Sequence, residues 1–512
     1  MATDATGSES EAPDAYEQLV EKVTTLTAVS DASSLLSWDQ QVTMPEGGTP
    51  ARSRQLSTLS AIHHERLTQD ELADLLDELE STELTDERAA VVREVRREQE
   101  RAVRVPTDLV QRISELTSEA LPVWEEAKAE DDWESFAPYV EELVELKRRY
   151  AEHVDPDRDP YAVLFEEYEP CLPLEQAEEI LADLRETLVP MIEEIRASET
   201  PITTDAFAAH APYGVEAQEE LSREVLTALG YPWERGRLDT SSHPFSMGTQ
   251  FDARVTTRFN EDDPVEALLS TIHEFGHASY NLGLPDDAYG TPLGQHRGLS
   301  VHESQSRLWE NHVGRSAAFW EQFLPTFQER FPAAADVTPR EAYESVNQVY
   351  EDNLIRVEAD ELTYHLHIVI RFEIERALIV GDLDVADVPE VWNDKYEEYL
   401  GIRPETDAEG CLQDIHWSHG SFGYFPTYSL GSVLAAQLYA AAEDDLGDLD
   451  ARTREGEFEP LMSWLNEQVH AHGQRYETNE LVREATGEDF AADAFVDYVT
   501  EKYGDLYDLD AV

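Results

Sequence analysis

Cysteine and lysine are nearly missing from this chain of 512 residues. It has two cysteines, Cys171 and Cys411, and five lysines, Lys22, Lys128, Lys147, Lys395 and Lys502. Two cysteines build no disulfide framework, and they fit a reducing, cytoplasmic setting. Uncharged apolar runs of about 18 residues are also absent, so no segment is read as spanning a membrane. Residues Met1 to Pro13 are small and acidic, with no basic stretch leading into an apolar core, so no signal peptide is expected. Basic surface is the third shortage: Lys+Arg number 38 against Asp+Glu 109, a formal charge of -71. A chain so short of cations has no face to neutralise phosphates, which excludes nucleic acid as a partner.

Of the 38 basic residues only five are lysine, leaving 33 arginines. A strongly acidic, lysine-poor surface resembles that of proteins from organisms with multimolar internal salt. At 1 M salt the Debye length falls to about 3 Å, so self-repulsion that strains the fold in dilute buffer is screened. The expectation is a halophilic protein whose stability and activity need salt. High charge also marks disordered chains, but those lack apolar residues. Here 41% of residues are hydrophobic and 9% aromatic, ample for a core.

The expected architecture is mostly α, with long helices around a groove. Residues 1–13 read as an acidic disordered tail. Residues 14–512 read as one mostly helical unit, or as two lobes flanking the groove, with no 20–50-residue repeat. Helices are predicted from Ala15 onward, then over 51–80, 86–105, 107–128, 132–153, 174–197 and 215–229. The stretch 86–105 alternates charges at i,i+4 and reads as a solvated helix. Between 238 and 260 the pattern changes: Phe251-Asp252-Ala253-Arg254-Val255-Thr256-Thr257 alternates and is β-branched, so a small antiparallel sheet is expected. Helices resume from 264, with a loop-rich stretch around 403–431.

Chemistry concentrates in Thr271-Ile272-His273-Glu274-Phe275-Gly276-His277. His-Glu-x-x-His on a helix is a zinc-hydrolase pattern. Four residues apart, His273 and His277 stack on one face, where two imidazoles can share a metal. Glu274 then sits beside the open position, able to take a proton from the water held there. Asp263, Pro264 and Glu266 supply a helix start, and Gly283 with Pro285 a stop, placing the motif mid-helix over roughly 264–282. Ten of the 16 histidines fall between His243 and His419. A catalytic zinc takes three protein ligands, and Glu303, 26 residues beyond His277, is the best third candidate. Two other readings stand beside it: His302 as the ligand, and Ser300-x-x-Glu303 as a capping box.

More of the chain then falls into place. His243-Pro244-Phe245, Asp252-Ala253-Arg254-Val255-Thr256, the His-Glu-Phe-Gly-His motif, His302-Glu303-Ser304-Gln305, Ile355-Arg356-Val357-Glu358-Ala359-Asp360 and Gly410-Cys411-Leu412-Gln413-Asp414-Ile415-His416-Trp417 occur in that order. In this the chain resembles the carboxypeptidase Taq family of metallopeptidases. Trp38-Asp39, Tyr168-Glu169-Pro170 and Gly236-Arg237-Leu238-Asp239 extend the resemblance to nearly full length. No motif position departs from the pattern; the acidic surface is the unusual feature. The resemblance implies a mostly helical carboxypeptidase with a long, deep groove, dependent on zinc or cobalt and homodimeric. It implies His273, His277 and Glu303 as metal ligands and Glu274 as general base.

A carboxypeptidase must also hold a terminal carboxylate, which a protein of this charge repels at long range. A local arginine fork answers that need, with Arg356 favoured slightly over Arg254. The alternative for Arg356 is a structural pairing with Glu358 or Asp360. An oxyanion donor is sought in Ser418–Tyr428, with Tyr424, Tyr428, His416 and His419 as candidates. Competing functions are a helical-groove oligoendopeptidase or dipeptidyl carboxypeptidase, and a non-catalytic zinc-stabilised peptide-binding protein.

Overall fold

The computed structural model describes residues 14–352 and 354–509. The acidic tail read at 1–13 lies outside the described residues. Twenty α-helices and one three-stranded sheet are present among the described residues. Helices expected over 107–128, 132–153, 174–197 and 215–229 run Thr107–Glu130, Trp133–Val154, Leu174–Ala197 and Val215–Leu229. Their ends follow local chemistry: the Asp132 carboxylate accepts from the Ser135 N–H at one start, and Gly230 closes another helix with φ of 97°.

Two helix readings need correcting. The stretch 51–80 is two helices, Thr49–Leu67 and Asp70–Glu80. The Thr68 hydroxyl donates to the His64 carbonyl at 2.8 Å, and extended Gln69 starts the next helix with Asp70 and Glu71 in its first turn. The charged helix Asp86–Arg104 is not solvated all round. Val91, Val92 and Val95 pack with Leu19, Leu72, Leu76 and Leu79 in a small N-terminal core. Glu94 is buried on that helix too, where Arg297, itself buried, donates to both carboxylate oxygens at 2.8 and 3.0 Å. An ion pair of that geometry offsets the desolvation that charge patterning alone treats as forbidding. The other helices share one apolar core that runs from Val105 to Tyr507.

The sheet is mixed rather than antiparallel. Its strands are β1 (Gly236–Thr240), β2 (Ser246–Gly248) and β3 (Ala253–Thr257), in the order β1-β3-β2. β2 and β3 form an antiparallel hairpin, whereas β1 pairs parallel to β3. The dozen residues between β1 and β3 include β2, long enough for the crossover that parallel pairing requires. Central β3 is almost wholly buried and packs on the helix Pro264–Gly283 that carries the His-Glu-Phe-Gly-His motif.

Candidate metal and catalytic site

The motif helix starts where its sequence says. The Asp263 carboxylate accepts from the Val265 and Glu266 N–H groups, with Pro264 at the first helical position. Ten residues on, His273 and His277 lie on one face, ring centroids 4.9 Å apart. Glu303 comes from the helix Leu299–Arg307, which packs directly on the motif helix. Two glycines allow that approach. A Cβ on Gly276 would lie 2.4 Å from the Ser306 Cα, and one on Gly431 would lie 2.5 Å from the Glu303 Cγ.

The result is a convergence of three donor atoms. Glu303 Oε2 lies 3.4 Å from His277 Nε2 and 3.8 Å from His273 Nε2. The ligand atoms of all three residues fall within 4.8 Å of one another. Both imidazoles are oriented from behind. His277 Nδ1 meets the His302 carbonyl at 3.0 Å, and His273 Nδ1 meets Glu310 Oε2 at 2.8 Å. A carbonyl only accepts, so the His277 Nδ1–H donates to it and Nε2 is the nitrogen turned toward Glu303. Glu310 does the same for His273, because Arg315, His273 and Arg307 outweigh the cost of burial and hold its carboxyl well below the ordinary range. Two imidazole Nε2 atoms and a carboxylate oxygen facing one another are a donor set that fits a divalent cation.

Glu303 itself stays ionised for the same reason: burial opposes its charge, but Arg307 and the two imidazoles prevail. Its other oxygen, Oε1, accepts from Arg307 Nε at 2.7 Å, so one oxygen alone faces the histidines. That arrangement removes the capping-box reading. The Ser300 N–H and hydroxyl both donate instead to buried Glu169, each at 2.6 Å. His302 does not join the donor set by its side chain; its ring stacks on His277 at 4.3 Å. Glu274 is buried on the motif helix, which packs on β2, and burial pushes its carboxyl up.

A second cluster lies around Arg356. Its Nε and Nη2 donate to Asp414 Oδ1 at 3.0 and 2.8 Å, and Nη1 donates to the Tyr364 hydroxyl at 3.3 Å. Its partner is therefore Asp414, not Glu358 or Asp360. Arg371 Nε takes the other oxygen of Asp414 at 2.5 Å. Two guanidiniums on one carboxylate leave a net positive charge in a buried setting, and they hold the Asp414 carboxyl far below its usual range against burial. Tyr364, Phe425 and Tyr428 stack around Arg356, with ring centroids 5.4–5.8 Å from its guanidinium. Arg254 is differently placed: Asp252 takes its Nε and Nη2 at 2.9 and 2.6 Å, and its guanidinium lies 4.5 Å over the Trp38 ring.

The oxyanion candidates separate in the same way. Tyr424 touches His416 and Tyr428 at ring distances of 5.5 and 5.3 Å. Tyr428 stands in the first turn of the helix Pro426–Leu446, so the loop ends earlier than its sequence suggests. Burial lowers the His416 imidazole to about 4, and its Nδ1 is buried with no hydrogen-bond partner. His419 is exposed and joins none of these ring contacts. Sequence reasoning missed Arg307, Glu310, Arg315 and Tyr364. The i,i+4 spacing of Glu303 and Arg307 was a visible signal for one of them. Glu310 had none, because it lies in a π-helical turn, Leu308–Gly314, where helical spacing fails.

A helical framework around an HExxH donor set defines a metal-dependent peptide hydrolase. A family model described as carboxypeptidase Taq (M32) metallopeptidase matches residues 18–503. Thermostable carboxypeptidase 1 of Thermus thermophilus is 40% identical over 507 residues, covering 96% of this chain and 99% of the relative. Thermostable carboxypeptidase 1 of Pyrococcus furiosus is 39% identical, covering 95% and 98%. Among solved structures, the M32 carboxypeptidase of Deinococcus radiodurans superposes with a TM-score of 0.93 at 38% identity, covering 97% of this chain and 100% of the other. Metallocarboxypeptidase 1 of Trypanosoma cruzi gives 0.91 at 34% identity, with 96% and 100% covered. The chain belongs to the carboxypeptidase Taq (M32) family and is a metallocarboxypeptidase.

Proposed function

We propose that this carboxypeptidase releases single amino acids from peptide C-termini, with His273, His277 and Glu303 holding one divalent cation, zinc or cobalt. The convergence of two imidazole Nε2 atoms on Glu303 Oε2 carries this reading. A cation held there supplies the Lewis acidity that activates a water and polarises the scissile carbonyl. Glu274 accepts the proton of the attacking water and delivers it to the leaving amine nitrogen. Its burial suits that task, since a carboxyl pushed up in pKa both takes and returns a proton. The surplus charge of Arg356 and Arg371 over Asp414 receives the terminal carboxylate, which favours Arg356 over Arg254, whose single charge Asp252 balances. Tyr424, His416 and Tyr428, which pack on one another, are the proposed donors to the developing oxyanion, and exposed His419 is the weakest candidate.

The test is a pair of peptides differing only in C-terminal amidation, offered with zinc or cobalt. Hydrolysis of the free acid alone, one residue at a time, is expected. Internal cleavage of the amidated peptide favours the oligoendopeptidase reading, and release of dipeptides the dipeptidyl carboxypeptidase reading.

Three further properties belong to the proposal. The two free cysteines support a reducing, cytoplasmic setting. A homodimer is expected by analogy with the family, and sedimentation would test it. The charge of -71 supports a halophilic protein. Activity and melting temperature should rise together from dilute buffer to molar salt, and a flat response would remove that property.

A further inference from the structure

Glu375 is fully buried on the helix Thr363–Val380, and among the described residues no basic group hydrogen-bonds it, although the charge of Arg371 lies near. Three donors from two other parts of the chain converge on it instead. Trp417 Nε1 donates to Oε1 at 2.8 Å, the Gly423 N–H to Oε2 at 3.1 Å, and the Tyr161 hydroxyl to Oε2 at 3.3 Å. Trp417 and Gly423 both lie in the irregular stretch that leads into the helix Pro426–Leu446, six residues apart. The residue before Trp417 is His416 and the residue after Gly423 is Tyr424, whose rings lie 5.5 Å apart. Gly423 has φ of 88° and fits against the Leu164–Phe165 backbone, where a Cβ would come within 2.8 Å of the Phe165 nitrogen. This end of the segment therefore has little freedom to drift without its hydrogen bond.

We propose that Glu375 is a positioning residue: one carboxylate ties both ends of the 417–423 segment and so fixes His416 and Tyr424 relative to each other. The inference rests on the reading that those two residues face the substrate. Geometry assigns the burden to a carboxylate in particular. Both oxygens must accept, and a glutamine at this position would turn an N–H toward one of the N–H donors. Burial pushes the Glu375 carboxyl up to about 8, against the three donors and the charge of Arg371 one turn earlier on the same helix, so an ionisable group is costly to keep here. A purely structural corner could be built from apolar groups at lower cost.

The test is a double-mutant cycle on the metal-loaded enzyme. Glu375→Gln should lower kcat roughly ten- to a hundredfold with metal content unchanged and KM altered less than about threefold, because Arg356 does not touch Glu375 and Arg371 keeps its bond to Asp414. In a Tyr424→Phe, His416→Gln background the same substitution should cost less than about twofold, since the groups it positions are gone. Tyr161→Phe, which removes the arm that does not reach the segment, should also stay within about twofold of the parent. An equal cost of Glu375→Gln in both backgrounds, or a Tyr161→Phe loss as large as that of Glu375→Gln, overturns the clamp. Full activity of the Tyr424→Phe, His416→Gln background by itself overturns the reading of the cleft, and the clamp with it.

Discussion

The two ends of the site are built by different rules. At the metal end, three candidate ligands and a base come from two helices adjacent in sequence, within 31 residues of one another. At the carboxylate end, Arg356, Arg371 and the pair Asp414 and Tyr424 come from three separate segments brought together only by folding. Their charge balance also differs. Glu303 and Glu310 are matched by Arg307 and Arg315, whereas Asp414 is shared by Arg356 and Arg371 and leaves a positive surplus. Near-neutrality suits a site that must receive a cation, and the surplus suits one that must receive an anion. Tyr364 joins the two ends, with its ring against both Arg307 and Arg356.

The largest effect should come from the metal end. Glu274→Gln is expected to keep its metal and lose about a thousandfold or more in kcat, since it removes the proton carrier and not a ligand. Metal analysis beside peptide hydrolysis checks this, and substantial turnover by that variant ends the assignment. Next comes the other end. Arg356→Ala should raise KM by about ten- to a hundredfold and leave metal binding alone, whereas Arg254→Ala should change KM less than about threefold. Equal effects at the two arginines would erase the distinction between a surplus and a balanced charge.

Behind the ligands, Glu310→Gln should weaken zinc affinity roughly ten- to a hundredfold by loosening the His273 ring. A chelator competition reads this directly, and unchanged affinity would make Glu310 a packing residue only. The last effect concerns the frame and is read in stability, leaving activity at neutral pH alone. Burial opposes the charge on Glu94, but Arg297, Arg97 and Arg93 hold its carboxyl down to about 2. A folded pKa below the unfolded one gives stability that is complete above about pH 4.5 and is lost as pH falls toward 2. The Glu94 contribution is about 3 kcal/mol. Acid titration of the Glu94→Gln variant should lose that step while the parent keeps it.

The contrast also explains what the sequence revealed. The His273–His277 pair and its helix were legible because capping, periodicity and i,i+4 spacing are local. Glu303 was visible as one of several candidates, and the family motif singled it out. The charged helix Asp86–Arg104 was misread because a pattern of alternating charge does not show that Arg297, some two hundred residues away, neutralises Glu94. The parallel pairing of β1 was hidden for a similar reason: strand order depends on the path of the chain between strands. Asp414 as the partner of Arg356 could not be read from spacing either. Glu358 and Asp360 are closer in sequence, and folding brings in a residue 58 positions away.

The central claim is that two imidazoles and the Glu303 carboxylate bind one cation. A zinc-edge anomalous difference map of zinc-soaked crystals tests it most directly. The account predicts one strong peak per chain within bonding distance of His273 Nε2, His277 Nε2 and one oxygen of Glu303. A peak lacking Glu303, or one held by His302 in its place, would contradict it.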